Sequence, residues 1–258
     1  MKKYLCIAKI SLLNALQYRG QMLARLCFYA LFIFTYFYLW GAVYRDGHPA
    51  GYSHVQMVWY LIVTEMVLFC RPANTSRINE EIKSGAIAYQ LSRPVHYIAL
   101  QGAETLGQLA VTLLFFGTAA LALGLIFVGP LPHIALAGLA VACLSFLLGV
   151  MLQFFLTVAI ALTAFSLEDN SGIFLIFSKL TFMLGALLPV EFLPPALQPL
   201  AEFLPFPYIA WAPAKMLVDA PLSPLPLLGM QALWCLIAFG LCMAGYRAGI
   251  HRLQMNGG

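Results

Sequence analysis

Residues 105–167 contain no Asp, Glu, Lys or Arg, and no other feature limits so sharply what this chain can fold into. Soluble domains carry a charge at about one position in four, so an uncharged run of this length belongs in a bilayer. A hydrocarbon core about 30 Å thick takes roughly 20 apolar residues per helix. Gly129, Pro130 and Pro132 divide the run, which puts one span at about 105–128. The remainder, up to Leu167, is too long for one upright helix at about 1.5 Å per residue, so it must tilt, bend or protrude. Were it two helices, the topology beyond it would invert.

The rest of the chain repeats the pattern. Uncharged or nearly uncharged runs at 26–44, 54–70, 171–188 and 227–246 are read as further spans, and overall 62% of residues are hydrophobic, 9% are charged and the mean hydropathy is +0.87. The expected fold is an all-α polytopic membrane protein, one transmembrane domain over 1–258 with six transmembrane helices. Residues 1–21 are read as an interfacial helix, with Leu5, Ala8, Leu12, Ala15 and Leu16 on its apolar side and Lys3, Ser11, Asn14 and Gln17 opposite. Lys9, Asn14 and Arg19 interrupt any cleavable leader, so the N-terminus is expected to be retained. The stretch 189–226 holds ten of the fifteen prolines, interleaved with Phe192, Phe203, Phe206, Tyr208 and Trp211. That density excludes one continuous spanning helix and leaves short amphipathic or re-entrant helices before the last span.

Orientation follows from the cations. With six spans, one side receives Lys2, Lys3, Lys9, Arg19, Arg25, Arg71, Arg77, Lys83, Arg93, Arg247 and Arg252, and the other only Arg45 and Lys215. The excess marks the first side, with both termini, as cytoplasmic. The Pro/aromatic segment 189–226 is then external, and the polar loop 71–98 is cytoplasmic. The cations are dispersed rather than clustered on one face, which argues against a nucleic-acid partner despite the net charge of +4. Cys6, Cys27, Cys70, Cys143, Cys235 and Cys242 are scattered singly and are read as packing residues, with no metal-ligand spacing.

Loop 71–98 is where the polar chemistry concentrates. Asn74, Thr75 and Ser76 are candidate helix caps, Ile78 and Ile82 lie one turn apart on a common face, and Gly85 is a natural left-handed stop. The expected product is a short helix whose isoleucines, flanked by Arg77, Glu80, Glu81 and Lys83, are offered to a groove on another protein. The bland alternative is a solvated loop that only satisfies the charge bias. Inside the spans, Glu65 and Lys179 require a partner or water. Structural pairing between them is favoured, with a cationic-substrate site as the alternative. Glu104 is expected at the interface. The aromatic run in the first span, Phe28 to Trp40 and including Phe34 and Tyr38, either faces lipid or lines a path for a hydrophobic or flat cationic substrate.

The order of an acidic residue before Ile82, then Gly85, Leu91 and Arg93-Pro94-Val95, resembles the loop between the second and third spans of type-2 ABC exporter permeases, especially the compact six-span bacterial group. The likeness extends over the whole topology. It implies that Arg77, Ile78, Glu80, Glu81, Ile82, Lys83, Gly85 and Arg93 form a coupling element docked on a separate ABC ATPase subunit, present in two copies per complex. It further implies a second permease subunit, identical or paralogous, and an external gate formed by Phe192, Phe203, Phe206 and Trp211. The location implied is the bacterial cytoplasmic (inner) membrane. No Gly-Lys pair occurs anywhere in the chain, so it holds no phosphate cradle of the Walker type. The expectation is a non-catalytic permease without its own cofactor, with ATP and Mg on the partner. An ion-coupled secondary transporter, or a membrane enzyme, is the rival class. Neither an inverted repeat nor a grouping of His48, His54, His96, His133 and His251 with a nucleophile speaks for either.

Overall fold

Lipid offers no hydrogen-bond partners, so apolar runs must satisfy their own backbone, and a helix does so within one segment. The computed structural model describes residues 2–47, 51–71, 74–130, 136–167, 169–219 and 223–256, and all their regular elements are helical. His48, Pro132, His133 and Glu168, and the side chains of Asn74 and Thr75, lie outside the described residues. Helix α1 (Lys2–Gln17) leads through Tyr18 directly into α2 (Arg19–Asp46). Then come α3 (His54–Phe69), α4 (Asn74–Lys83), α5 (Ile87–Leu91), α6 (Tyr97–Phe127) and α7 (Leu136–Leu162), the last ending in a tight turn over Thr163–Phe165. Helix α8 (Ser171–Phe182) widens into a π-type turn at Met183–Leu187. Short α9 (Gln198–Phe203), α10 (Pro207–Val218) and the long α11 (Leu225–Asn256) complete the chain.

Four stretches, Arg19–Arg45, Tyr97–Phe127, Gly138–Phe165 and Leu225–Arg252, are long and apolar enough to cross a membrane, and His54–Phe69 and Ser171–Leu187 are shorter apolar helices. The uncharged run resolves into α6 and α7. Gly129, at a φ of +81°, ends the first, and α7 is a single helix of about 40 Å that does not double back. Helices α2, α6 and α11 extend past the expected span limits because hydropathy marks residence in lipid, whereas backbone hydrogen bonding continues into polar sequence. Glu104 accordingly lies inside α6 rather than ahead of it.

The centre of the bundle is α3 and α10. Ten of the twelve residues of α10 are buried, and it lies between α3 and α7. One of the short helices expected in 189–226 is thus buried: Pro207 sits in its first turn, where no intrahelical N–H is needed. Polar anchors hold α10 at depth. Gln231 of α11 donates to the Tyr208 carbonyl at 2.8 Å and accepts from the Ser145 hydroxyl of α7 at 2.8 Å. Gln56 of α3 donates to the Val218 carbonyl at 3.2 Å. Where α7 crosses α10, a Cβ on Gly149 would stand 2.6 Å from the Ile209 carbonyl oxygen, so only glycine fits.

Helix α1 lies along α6, with its faces rotated from the sequence expectation. Ser11, expected on the polar side, is buried and donates to the Glu104 carbonyl at 2.8 Å, while Leu5 is 70% exposed. A small side chain with one hydroxyl suits a close helix crossing better than leucine does. The expectation for the cysteines holds in half the cases: Cys70, Cys235 and Cys242 are buried, and Cys6, Cys27 and Cys143 are exposed.

Candidate functional site

The polar loop folds as α4, a left-handed turn and α5. Gly85 takes a φ of +74°, its N–H bonds the Ile82 carbonyl, and the Ser84 hydroxyl caps the Glu80 carbonyl at 2.6 Å, so the helix stops where glycine removes the Cβ penalty. Helix α4 starts at Asn74, which places Ser76 in its first turn. Ile78 and Ile82 do share a face, but that face is not offered outward. They are 1% and 8% exposed and join Ile87, Tyr97, Val158 and Leu162 in a second, separate core against α7. The isoleucines are anchors to this chain, which corrects the expectation that they dock on a partner. Periodicity identifies an apolar face without saying what covers it.

Two charged residues on α4 also turn inward. Arg77 donates to Gln101 at 3.0 Å and to the Glu104 carboxylate, both on α6, and pairs with Glu81 one turn on at 3.4 Å. Glu81 in turn accepts from the Tyr97 hydroxyl at 2.8 Å. These bonds fasten α4 to the start of α6. The Arg77 side chain is still 43% exposed, and Glu80, Lys83, Gly85, Tyr89 and Arg93 are exposed as well. Lys83 stands 4.0 Å from Asp169, in the loop after α7. Asp169 is held below the usual carboxylate range by the Ser171 N–H and hydroxyl, and less by Lys83. Tyr89, 68% exposed with the Arg93 guanidinium 5.0 Å over its ring, went unremarked in the sequence. An aromatic among small residues beyond a glycine stop was the available signal.

The residues suspected of lining a path are not brought together. Glu65 is buried on α3 and accepts from the Tyr36 hydroxyl of α2 at 3.4 Å. Lys179 is exposed on α8, and the two do not pair, because depth along a helix says nothing about which way a side chain points. Phe34 and Tyr38, 47% and 59% exposed, lie with ring centroids 4.7 Å apart and planes tilted by 59° on the outer face of α2.

At the opposite end of the bundle the aromatic residues divide. Phe203 is 67% exposed, Phe192 packs on Trp40 and Tyr52, Phe206 contacts Phe177, and Trp211 is buried. The Trp211 indole donates to Glu191 at 3.1 Å, and Lys215 pairs with the same carboxylate while lying 5.2 Å over the Trp211 ring. Glu191 therefore ties the turn Val190–Phe192 to α10, a role that sequence reading missed, although it is the first of three acids in the proline-rich stretch, ahead of Glu202 and Asp219.

A bundle of long apolar helices around a buried, proline-containing helix, with a braced polar loop at one end, is the framework of a multi-pass membrane protein. Residues 30–257 match the family model for ABC-2 family transporter proteins. The chain belongs to that family and is a type-2 ABC permease, a kind of subunit that is typically non-catalytic and partners with ABC ATPases. No curated protein and no solved structure matches the chain.

Proposed function

We propose that this chain is the transmembrane subunit of an ATP-driven exporter and takes its mechanical input through α4 and α5. The observation that carries the reading is the division of α4 into two faces. Ile78, Ile82, Arg77 and Glu81 fix it to α6 and α7, while Glu80 and Lys83, with Gly85 and Tyr89 just beyond its end, are exposed. A helix fastened to two long helices and free on its other side transmits a push as a rigid body. Closure of a pair of ATPase subunits against the exposed face would tip α6 and α7 and shift the permease between inward-open and outward-open states. ATP and Mg belong to those subunits.

In this reading the loop and both termini are cytoplasmic, in a bacterial inner membrane, as the cation asymmetry favours. The outward aromatic face of α2, with Phe34 and Tyr38, meets a second permease subunit, identical or paralogous, and the cargo passes between the two. An aromatic lining suits a hydrophobic or amphipathic cargo. The cluster of Glu191, Trp211 and Lys215, with Phe192 and Phe206 beside it, closes the outer end of the path, and Phe203 on the surface meets lipid.

Affinity purification of the tagged chain from its native membrane tests the assignment. A stoichiometric ATPase is expected to co-purify, and Glu80→Lys to reduce its recovery and the transport-coupled ATP turnover. A chain that purifies alone and transports along an ion gradient would overturn the reading.

A further inference from the structure

On the same end as the polar loop, α1, α2, the chain after α3 and the first turns of α6 enclose a cavity of about 560 Å³, within the range of small-molecule sites. Four arginines border it: Arg25, Arg71, Arg77 and Arg93. The one acid in its lining, Glu104, is already engaged by Arg77. Arg25 is half-buried, donates to the Phe69 carbonyl and lies 5.4 Å over the Phe116 ring. Arg71 is half-buried too, and burial, followed by the charge of Arg25, lowers its guanidinium below the ordinary value. Among the described residues, neither forms an ion pair with a carboxylate.

A general excess of cations on one side of a membrane explains how many arginines there are, not why Arg25, Arg71 and Arg93 border one hollow with no carboxylate partner of their own among the described residues. Desolvated like charges destabilise one another unless an anion joins them. The rest of the lining is mixed, with Ile7, Ile10, Met22 and Leu100 beside uncharged polar groups such as Ser11, Asn14 and Gln21. Leu23 and Phe28, on the adjoining surface of α2, are 56% and 60% exposed. Cationic groups and hydrogen-bonding side chains beside Ile7, Ile10 and Met22, next to an exposed apolar surface, suit an amphiphile carrying phosphate more than a fully hydrated ion.

We propose that this cavity binds the phosphate headgroup of an anionic membrane lipid, with Arg25, Arg71 and Arg93 as the cationic ligands and Ile7, Ile10 and Met22 against the adjoining carbons. Such a lipid joins α1 and α2 to the two ends of the polar loop, since Arg71 precedes α4 and Arg93 follows α5. The inference rests on the cavity alone and holds whether or not an ATPase docks on the loop.

The test uses the full chain in a neutral detergent, titrated with dioctanoyl phosphatidylglycerol, dioctanoyl phosphatidylcholine or inorganic phosphate while thermal unfolding is followed. Phosphatidylglycerol is expected to raise Tm saturably, and the other two to leave it in place. Arg71→Gln and, separately, Arg93→Gln should each weaken the midpoint about tenfold, the scale of one lost charge-assisted hydrogen bond. Arg247→Gln, an exposed cation at the far end of α11 outside the cavity, should leave the midpoint unchanged. Arg93 is an exposed loop side chain, so its variant remains informative if Arg71→Gln folds poorly. Equal stabilisation by inorganic phosphate would make this a free-anion site, and equal stabilisation by phosphatidylcholine a nonspecific one. Either result, or wild-type affinity in Arg71→Gln or Arg93→Gln, overturns the proposal.

Discussion

Replacing Ile78 by alanine separates the two roles an apolar face on α4 can have. The side chain is 1% exposed and packed among Ile82, Ile87, Tyr97, Val158 and Leu162. The substitution removes three carbons, and at about 0.8 kcal/mol per buried carbon, with a further contribution from the hole left behind, the loss comes to roughly 3 kcal/mol. In a chain of this size each kcal/mol moves the unfolding midpoint by about 2–4 °C, so Tm should fall by roughly 6–12 °C. Differential scanning fluorimetry of the purified chain in mild detergent reads this without any partner present. Recovery of an ATPase subunit, measured in parallel at a temperature where the variant is folded, should change less than in Glu80→Lys. An unchanged Tm together with lost recovery would show that Ile78 faces a partner, and the anchoring argument would fail.

Other perturbations probe separate joints. Gly149→Leu forces a side chain against the Ile209 carbonyl, where backbone cannot yield, and should destabilise the chain by about 1–3 kcal/mol in detergent unfolding. Gln231→Leu leaves the Tyr208 carbonyl and the Ser145 hydroxyl short of a partner and should cost about 1–3 kcal/mol by the same assay. Gly85→Ala meets no neighbouring atom but keeps a positive φ, so a penalty of about 1–2 kcal/mol is expected from backbone strain alone. Arg77→Met cuts the links to Gln101 and Glu104. Because Arg77 is 43% exposed, its effect on stability should stay under about 1 kcal/mol, while the ratio of cargo moved to ATP hydrolysed drops.

Features that depend on position along the chain were legible from the residues. Helix α3 starts and stops where the hydropathy run does, the polar loop lies between α3 and α6, and Gly85 is the left-handed stop its context suggested. Features that depend on direction around a helix axis were not. Ile78 and Ile82 formed the expected stripe but turned toward α7, Ser11 took the buried position on α1, and Glu65 and Lys179 failed to meet. A 3.6-residue period fixes which side chains share a face and leaves their neighbour unspecified, and in a chain so apolar nearly any face can be covered. The proline-rich stretch concealed a buried helix for a related reason. Proline counts against a spanning helix, yet Pro207 in a first turn and Pro213 inside a short, enclosed helix are both tolerated.

The hydrogen bonds of Gln231 bear on the order in which the protein is made. Ser145 on α7 and the Tyr208 carbonyl on α10 both emerge from the ribosome before their partner on α11 exists. Until α11 inserts, the Tyr208 carbonyl and the Ser145 hydroxyl lack the Gln231 amide that links them, so the seat of α10 beside α7 is completed only when α11 arrives. Helix α11, made after α10, thus acts as its latch, and a ribosome-stalled chain ending before residue 231 should leave α10 open to proteases that the longer chain excludes.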